Sequence, residues 1–335
     1  MVTVLYAGTR DGVVTVADQD GAWAIEGHAL KGWEVHDVET VHAKPGRVYA
    51  GVRGDGVWRS DDYGQTWSKP SYGKVAPGKV RCVTADADDP DTLYAGTEPI
   101  GLWRSADAGE SWTEIESVRN FPHVATVTYP ASGVEPHLRD VTIDPSDPRT
   151  IYAALQVGYM LKSTDGGESW QLLGNGLGPD VHTIVIDPTD GRRVYAATGG
   201  YQYRSEDGGA SWVQMALGFE QKYAVPMVMD PADPSVLYSA LANGNPNRWR
   251  NREGGSESVL IRTRDAGVTW ETLPGTPEMS RGFPEGIVPD PEEPGRMYAG
   301  TRLGGELFTT GDGGETWVKL DVTVPPVAKM NIAHR

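Results

Sequence analysis

The sequence predicts an all-β protein, a seven-bladed β-propeller of four-stranded blades closed into one ring. Two repeated landmarks predict it. The first is the motif Ser/Thr-x-Asp-x-Gly-x-Ser/Thr-Trp, ending at Trp67, Trp112, Trp170, Trp212, Trp270 and Trp317. A worn seventh copy keeps Asp18 and Trp23 but loses the first hydroxyl and the glycine position. The second is an apolar residue followed by Tyr and then Ala or Ser, at Tyr6, Tyr49, Tyr94, Tyr152, Tyr195, Tyr238 and Tyr298. In chain order these tyrosines precede their tryptophans by 17, 18, 18, 18, 17, 32 and 19 residues. About 40–50 residues per unit suits a propeller blade.

The fourth unit displays the elements in order. Residues 138–145 (LRDVTIDP) form a short apolar and β-branched run ending in a turn signal. DPSDP makes that turn, because Pro fixes φ and Asp bonds its own backbone. TIYAAL and GYMLKS are the next two strands, TDGGE is a tight hairpin turn with glycine supplying positive φ, and SWQLL is the last strand. These are strands A to D, counted outward from the central channel. The aspartate of the motif can accept from backbone N–H groups of its own turn, the first hydroxyl bonds within the same hairpin, and the Trp packs between sheets. One dependable carboxylate per copy is too few for a Ca²⁺ site, which wants six or more oxygens.

The first unit starts at strand B (VTVLYAG), and the last residues, VAKMNIAHR, read as a strand A with no B after it. The last strand is expected to complete blade 1, so that residues 1–335 form a single propeller domain. Two insertions interrupt the pattern. One, about 116–137, enters blade 4; the other, about 241–258, lies in the B–C loop of blade 6 and accounts for the spacing of 32.

Composition narrows the function. The 11 Trp and 14 Tyr supply the packing between blades, and 42 Gly and 24 Pro serve many turns. A net charge of −16 argues against a nucleic-acid partner. No stretch approaches the roughly 20 apolar residues of a membrane span. One cysteine, Cys82, leaves no internal disulfide, and no signal peptide is visible. The expected location is cytoplasmic, or secreted if a leader has been removed. No cofactor motif is present, and oligomeric state is not legible.

A–B and C–D turns share one face with the acidic turns and every copy of the motif. The opposite face receives the B–C loops and both insertions, where function is expected. Thirteen residues before the tyrosines, at the start of strand A, stand His36, Arg81, Arg139, His182, Val225 and Glu285. Four residues after Tyr6, Tyr49 and Tyr298 stand Arg10, Arg53 and Arg302, with Glu98 and Gln156 at the same offset in blades 3 and 4. Arginine forks match carboxylate, sulfate or phosphate oxygens in pairs, so the ring reads as an anion-binding mouth. The competing reading is internal pairing of these arginines with Asp11, Asp55 or Glu98. Trp249, flanked by Arg248 and Arg250, can stack on a sugar ring while arginine holds its acid group, or can anchor its loop. Asp37, Asp140 and Glu285 are the carboxylates available for acid and base work. His36, His182 and Glu285 are a weaker candidate for a two-histidine, one-carboxylate metal site, and no metal is expected. By contrast Arg59, Arg104, Lys162, Arg204 and Arg262 recur at one strand C position and read as scaffold.

The six intact motifs resemble those of the Asp-box, or BNR-repeat, propellers, and the resemblance covers essentially the whole chain. That superfamily includes sialidases, two-propeller xyloglucanases, sortilin-type receptors and photosystem II assembly factors of the Ycf48 type, so it implies fold far more than function. Sialidases carry an Arg-Ile-Pro or Arg-Leu-Pro motif on six blades; the nearest match here is RGFP at 281–284, on seven. Xyloglucanases use a cleft between two propellers. The assembly factors are single seven-bladed propellers with an arginine patch. Two classes of function follow. One is a binding propeller for an anionic ligand: an acidic saccharide, an acidic peptide or a small carboxylate. The other is a glycoside hydrolase or polysaccharide lyase acting on an acidic saccharide at the same mouth.

Overall fold

The computed structural model describes residues 1–130, 133–216 and 218–335. Seven antiparallel sheets follow one another in chain order. Six have four strands, and the sheet of Val35–Thr40, Val48–Val52 and Gly56–Ser60 has three. In that blade the expected outer strand shrinks to a single bridge between Arg59 and Ser68. The strand Val327–His334 pairs with Thr3–Thr9 from Thr3–His334 to Thr9–Val327, so the last strand is the inner strand of blade 1, as expected. Among the described residues no helix is long and apolar enough to cross a membrane.

Each blade packs its repeat tyrosine against its neighbour, and all seven tyrosines are buried. The hydroxyls of Tyr152 and Tyr195 reach the motif turn of the following blade, donating to Gly208 O (3.1 Å) and Ala266 O (3.2 Å). The strand C cations use the same carbonyls. Lys162 donates to Gly208 O, Arg204 to Ala266 O, Arg59 to Ala108 O and Arg262 to Gly313 O, all within 2.8–2.9 Å. They are scaffold, as their periodicity implied. Arg104 differs, bonding Thr92 of its own blade.

The motif turn is built as its residues predicted. Ser163 donates to Asp165 Oδ1 (2.7 Å) and accepts from Gly167 N (2.8 Å), while Ser169 N donates to Asp165 Oδ1 (3.0 Å). The same bonds recur around Asp62, Asp107, Asp207, Asp265 and Asp312. In the worn copy, Asp18 keeps one, from Gly21 N. The Thr316 hydroxyl and then its N–H hold the Asp312 carboxyl down to about 2, and Ser169 lowers Asp165 in the same way. A carboxyl whose folded-state pKa lies below its ordinary value, about 3.9, stabilises the fold above that value and loses the contribution as pH falls through the folded one. Melting temperature should therefore drop steeply from about pH 4 to about pH 2, and less steeply in Asp312→Asn. Melts across pH 2–6 that ran parallel for both proteins would contradict this.

The inner strands hold one another through side chains. Asp37 Oδ2 accepts from Val83 N (2.9 Å) and Asp140 Oδ2 from Ile184 N (2.7 Å). Thr84 donates to Val141 O and Thr183 to Val225 O, each at 2.7 Å, and Asn331 donates to Val38 O (3.3 Å). These bonds tie blades 1 to 6 in sequence. Between the inner strands of blades 6, 7 and 1 the packing is largely apolar, with Gly286 closed over by Met330, and His334 bonds Asp290 (2.9 Å) where blade 1 meets blade 7. Deleting residues 327–335 removes a whole inner ladder and the belt's first link. It should lower the melting temperature of the entire ring in one cooperative transition, which calorimetry would report.

Candidate functional site

Every inner strand begins with a β-bulge, and the bulged residue is the one that sequence alignment singled out. In blade 2 Val35 pairs with Val52 and Asp37 with Gly51, so His36 is skipped. The ladder skips Arg81, Arg139, His182 and Glu285 in the same way. In blade 6 the irregularity spans Val225 and Pro226, and in blade 1 it falls at Ala328. A bulge leaves its extra residue unpaired and re-aims its side chain. All five polar bulge residues line one cavity of about 540 Å³ at that end of the channel. Arg10, Arg53, Arg302, Asp37 and Asp140 line it too, so ten residues named from sequence meet in one place. The insertions reach the same rim through Tyr129, Pro130 and His137 on one side and Asn245–Asn247 on the other.

The electrostatics resolve into two clamps. Glu98, with no exposed side-chain surface, lies against Arg81, Arg53 (3.5 Å) and Lys79 (3.8 Å). Glu285, 1% exposed, lies between Arg302 and Arg139 (3.4 Å). Arg53 also meets Glu34 at 3.2 Å. The expected partners Asp11 and Asp55 are engaged elsewhere: Asp11 accepts from Gly32 N, and Asp55 holds Trp58 and Lys69. Arg10 has no carboxylate within 4.0 Å among the described residues; burial, then Arg302 and Arg250, lowers its pKa.

The histidines are held by the groups around them. Arg81 donates to His36 Nε2 (3.2 Å), and burial, followed by that guanidinium, drives His36 well below its ordinary pKa. His182 Nδ1 sits 2.6 Å from Ala224 O and carries its proton there. Burial and then Arg81 bring His137 down to about 4, with Arg139 acting in the same sense. Lower in the channel, burial raises Asp37 to about 6 and raises Asp140 as well. Both are opposed by Lys329, the residue after the bulge on the closing strand.

Two residues named from sequence stand apart from this site. Trp249 is 1% exposed and packs edge-on to Tyr223 (5.6 Å) and tilted on Phe283 (4.7 Å), its N–H donating to Gly244 O. It anchors the insertion, so its face is closed to a sugar ring. Arg248 is exposed on the short helix Pro246–Trp249, outside the residues that line the cavity. Nor do His36, His182 and Glu285 make a metal site: among the described residues no three His, Cys, Asp or Glu come together to hold an ion.

Glu34, Asp180 and Tyr223 belong to the cavity lining and were missed, and His137 of the first insertion, an alternative ligand or base by sequence, lines it with them. They stand 15 residues before their tyrosines, two before the bulge. There the backbone pairs with the arginine position, as in Arg53 N to Glu34 O and Gln156 N to His137 O. Shifting the alignment by two residues would have found them. If the arginines hold His137 neutral, Arg139→Gln should move its NMR titration midpoint upward from about 4. An unmoved midpoint would leave burial and Arg81 as the causes.

No protein-family model matches the chain. Over 99 residues it is 33% identical to a xyloglucanase of a Paenibacillus species, a stretch covering 28% of this chain and 9% of that enzyme. Among solved structures, the GH74 enzyme of Niastella koreensis aligns with a TM-score of 0.64 at 20% identity, over 85% of this chain and 45% of that one. YCF48 bound to a D1 peptide aligns at 0.58 and 16% identity, over 85% and 80%. The chain thus spans only a small part of the xyloglucanase it matches. At these identities the structural likeness establishes the seven-bladed propeller and its neighbours among GH74 and YCF48 structures.

Proposed function

We propose that the bulge-lined mouth captures an anionic ligand: an acidic saccharide, an acidic peptide or a small carboxylate. The observation that carries this reading is the gathering of Arg10, Arg53, Arg81, Arg139, Arg302 and Lys329 on one cavity of a chain whose net charge is −16. The clamps neutralise part of that charge. They also fix Arg53, Arg81, Arg139 and Arg302 in place, so a ligand meets guanidinium groups already ordered. Arg10 brings a charge with no internal carboxylate partner among the described residues. Tyr129 beside His137 (5.5 Å between rings) and Tyr223 beside His182 (5.2 Å) give the same cavity flat walls for a ring or an extended backbone. The neighbours support binding in either form, since one is a glycoside hydrolase and the other holds a peptide.

The second reading is hydrolysis or elimination of an acidic saccharide at this mouth. What favours it is Asp37, raised to about 6 and so poised near neutral pH as a general acid, with Asp140 also raised. Against it, one oxygen of each is occupied by a backbone N–H of the next blade, and both oxygens of Glu285 are taken by arginines.

Calorimetric titration with acidic oligosaccharides, acidic peptides and small dicarboxylates tests the proposal, with neutral counterparts as controls. Charge-assisted bonds contribute roughly 1.5–3 kcal/mol each, so Arg10→Gln with Arg139→Gln should weaken the best ligand by roughly 10²-fold or more. Unchanged affinity would reduce the arginines to scaffold. New reducing ends or unsaturated products, abolished by Asp37→Asn, would decide for the enzyme.

A further inference from the structure

The other end of the channel carries a second cavity, of about 330 Å³, and it is apolar where the first is charged. Asn331 and Val288 on its wall belong to the ring of residues that face the repeat tyrosines across the inner ladder. In blades 1 to 4 these are Asn331, Glu39, Thr84 and Thr142; in blades 5 to 7 they are Val185, Val228 and Val288. The side-chain belt between inner strands ends at Val225 of blade 6, which leaves a gap from blade 6 to blade 7. The cavity opens beside that gap, among blades 6, 7, 1 and 2, walled by Val41, Met229, Pro231, Val288, Pro289 and Ile332. Proline rings make the wall stiff, and the Met229 thioether favours an aromatic neighbour.

Charge selects further. Glu292 is the one carboxylate on the wall; it is exposed and has no cation within 4.0 Å among the described residues. The basic groups on the wall are His42 and His334, and His334 is already bonded to Asp290 (2.9 Å). The surrounding face bears the acidic A–B turns and every aspartate motif. We infer that this cavity is a binding site for a small aromatic ammonium compound, its ring against Met229 and the prolines and its charge toward Glu292. The site is separate from the arginine mouth and takes the opposite charge.

The test titrates 1-naphthylmethylammonium into the full chain by calorimetry, with neutral 1-naphthalenemethanol and anionic 1-naphthoate beside it. The ammonium should bind one to one and at least about tenfold more tightly than the naphthoate. Met229→Trp, which fills the cavity, should abolish binding, and Pro45→Trp at the exposed rim gives the same answer if that variant does not fold. Glu292→Gln should weaken the ammonium by roughly threefold to fivefold, the strength of an exposed ion pair, and leave the neutral alcohol unchanged. Arg139→Gln should change nothing here, which separates this site from the mouth. Absence of binding, equal affinity for the naphthoate, indifference to both Trp variants, or loss in Arg139→Gln would each overturn the inference.

Discussion

An inner strand in a ring of blades pairs on one side only. Its other edge faces the channel, and unpaired backbone groups are costly when buried and adhesive when exposed. The chain meets this constraint with side chains from the neighbouring inner strand. Asp37 and Asp140 take up the N–H groups of Val83 and Ile184, and Thr84 and Thr183 supply hydrogens to carbonyls one blade further on. The carboxylates therefore stay in a buried channel where burial raises their pKa, because the backbone of the next blade needs their oxygens. An isolated carboxylate there would simply be lost to protonation or replaced.

The same edge explains where the site is. A ladder that must pair with strand B over its length and also follow the curve of the channel takes up the mismatch at its start, as a bulge in each blade. The bulge frees one side chain per blade and points it at the mouth. A repeat scaffold thus presents seven positions outside the tyrosine and motif contacts that hold the blades together. In this chain they read Ala328, His36, Arg81, Arg139, His182, Val225 and Glu285. Scaffold and site are written at different phases of one period: tyrosine, motif and strand C cation hold the ring, while positions 13 and 15 before the tyrosine line the mouth.

That separation governs what could be read in advance. The ring, its closure and the bulge residues were legible because each sits at a fixed distance from a landmark residue. Glu34 and Asp180 were equally legible in principle and fell two residues outside the offset chosen. Lys329 was not, since its tyrosine is Tyr6 and only the closed ring brings them side by side. Trp249 misled for a different reason. Flanking arginines and a loop position suggest exposure, but Tyr223 and Phe283, which bury it, come from the start of blade 6 and the start of blade 7. Burial inside an insertion depends on partners that periodicity does not supply. The weak outer strand of blade 2 belongs to the same class, because nothing in its spacing distinguishes it from the others.

The two ends of the channel follow from one asymmetry. Polar residues facing the tyrosines run from blade 1 to blade 4 and give way to valine in blades 5 to 7. Where they are polar, the side-chain belt binds neighbouring strands together. Between blades 7 and 1, Gly286 and Met330 pack directly, and His334 bonds Asp290 at the lower end. That packing leaves the lower end of the channel apolar on this side, beside an acidic rim. At the upper end, bulges on both halves of the ring deliver charge regardless of what lies below. A ring with one period can therefore hold a cationic mouth and an apolar, acid-rimmed floor, because the two are set by different residues of the same inner strands.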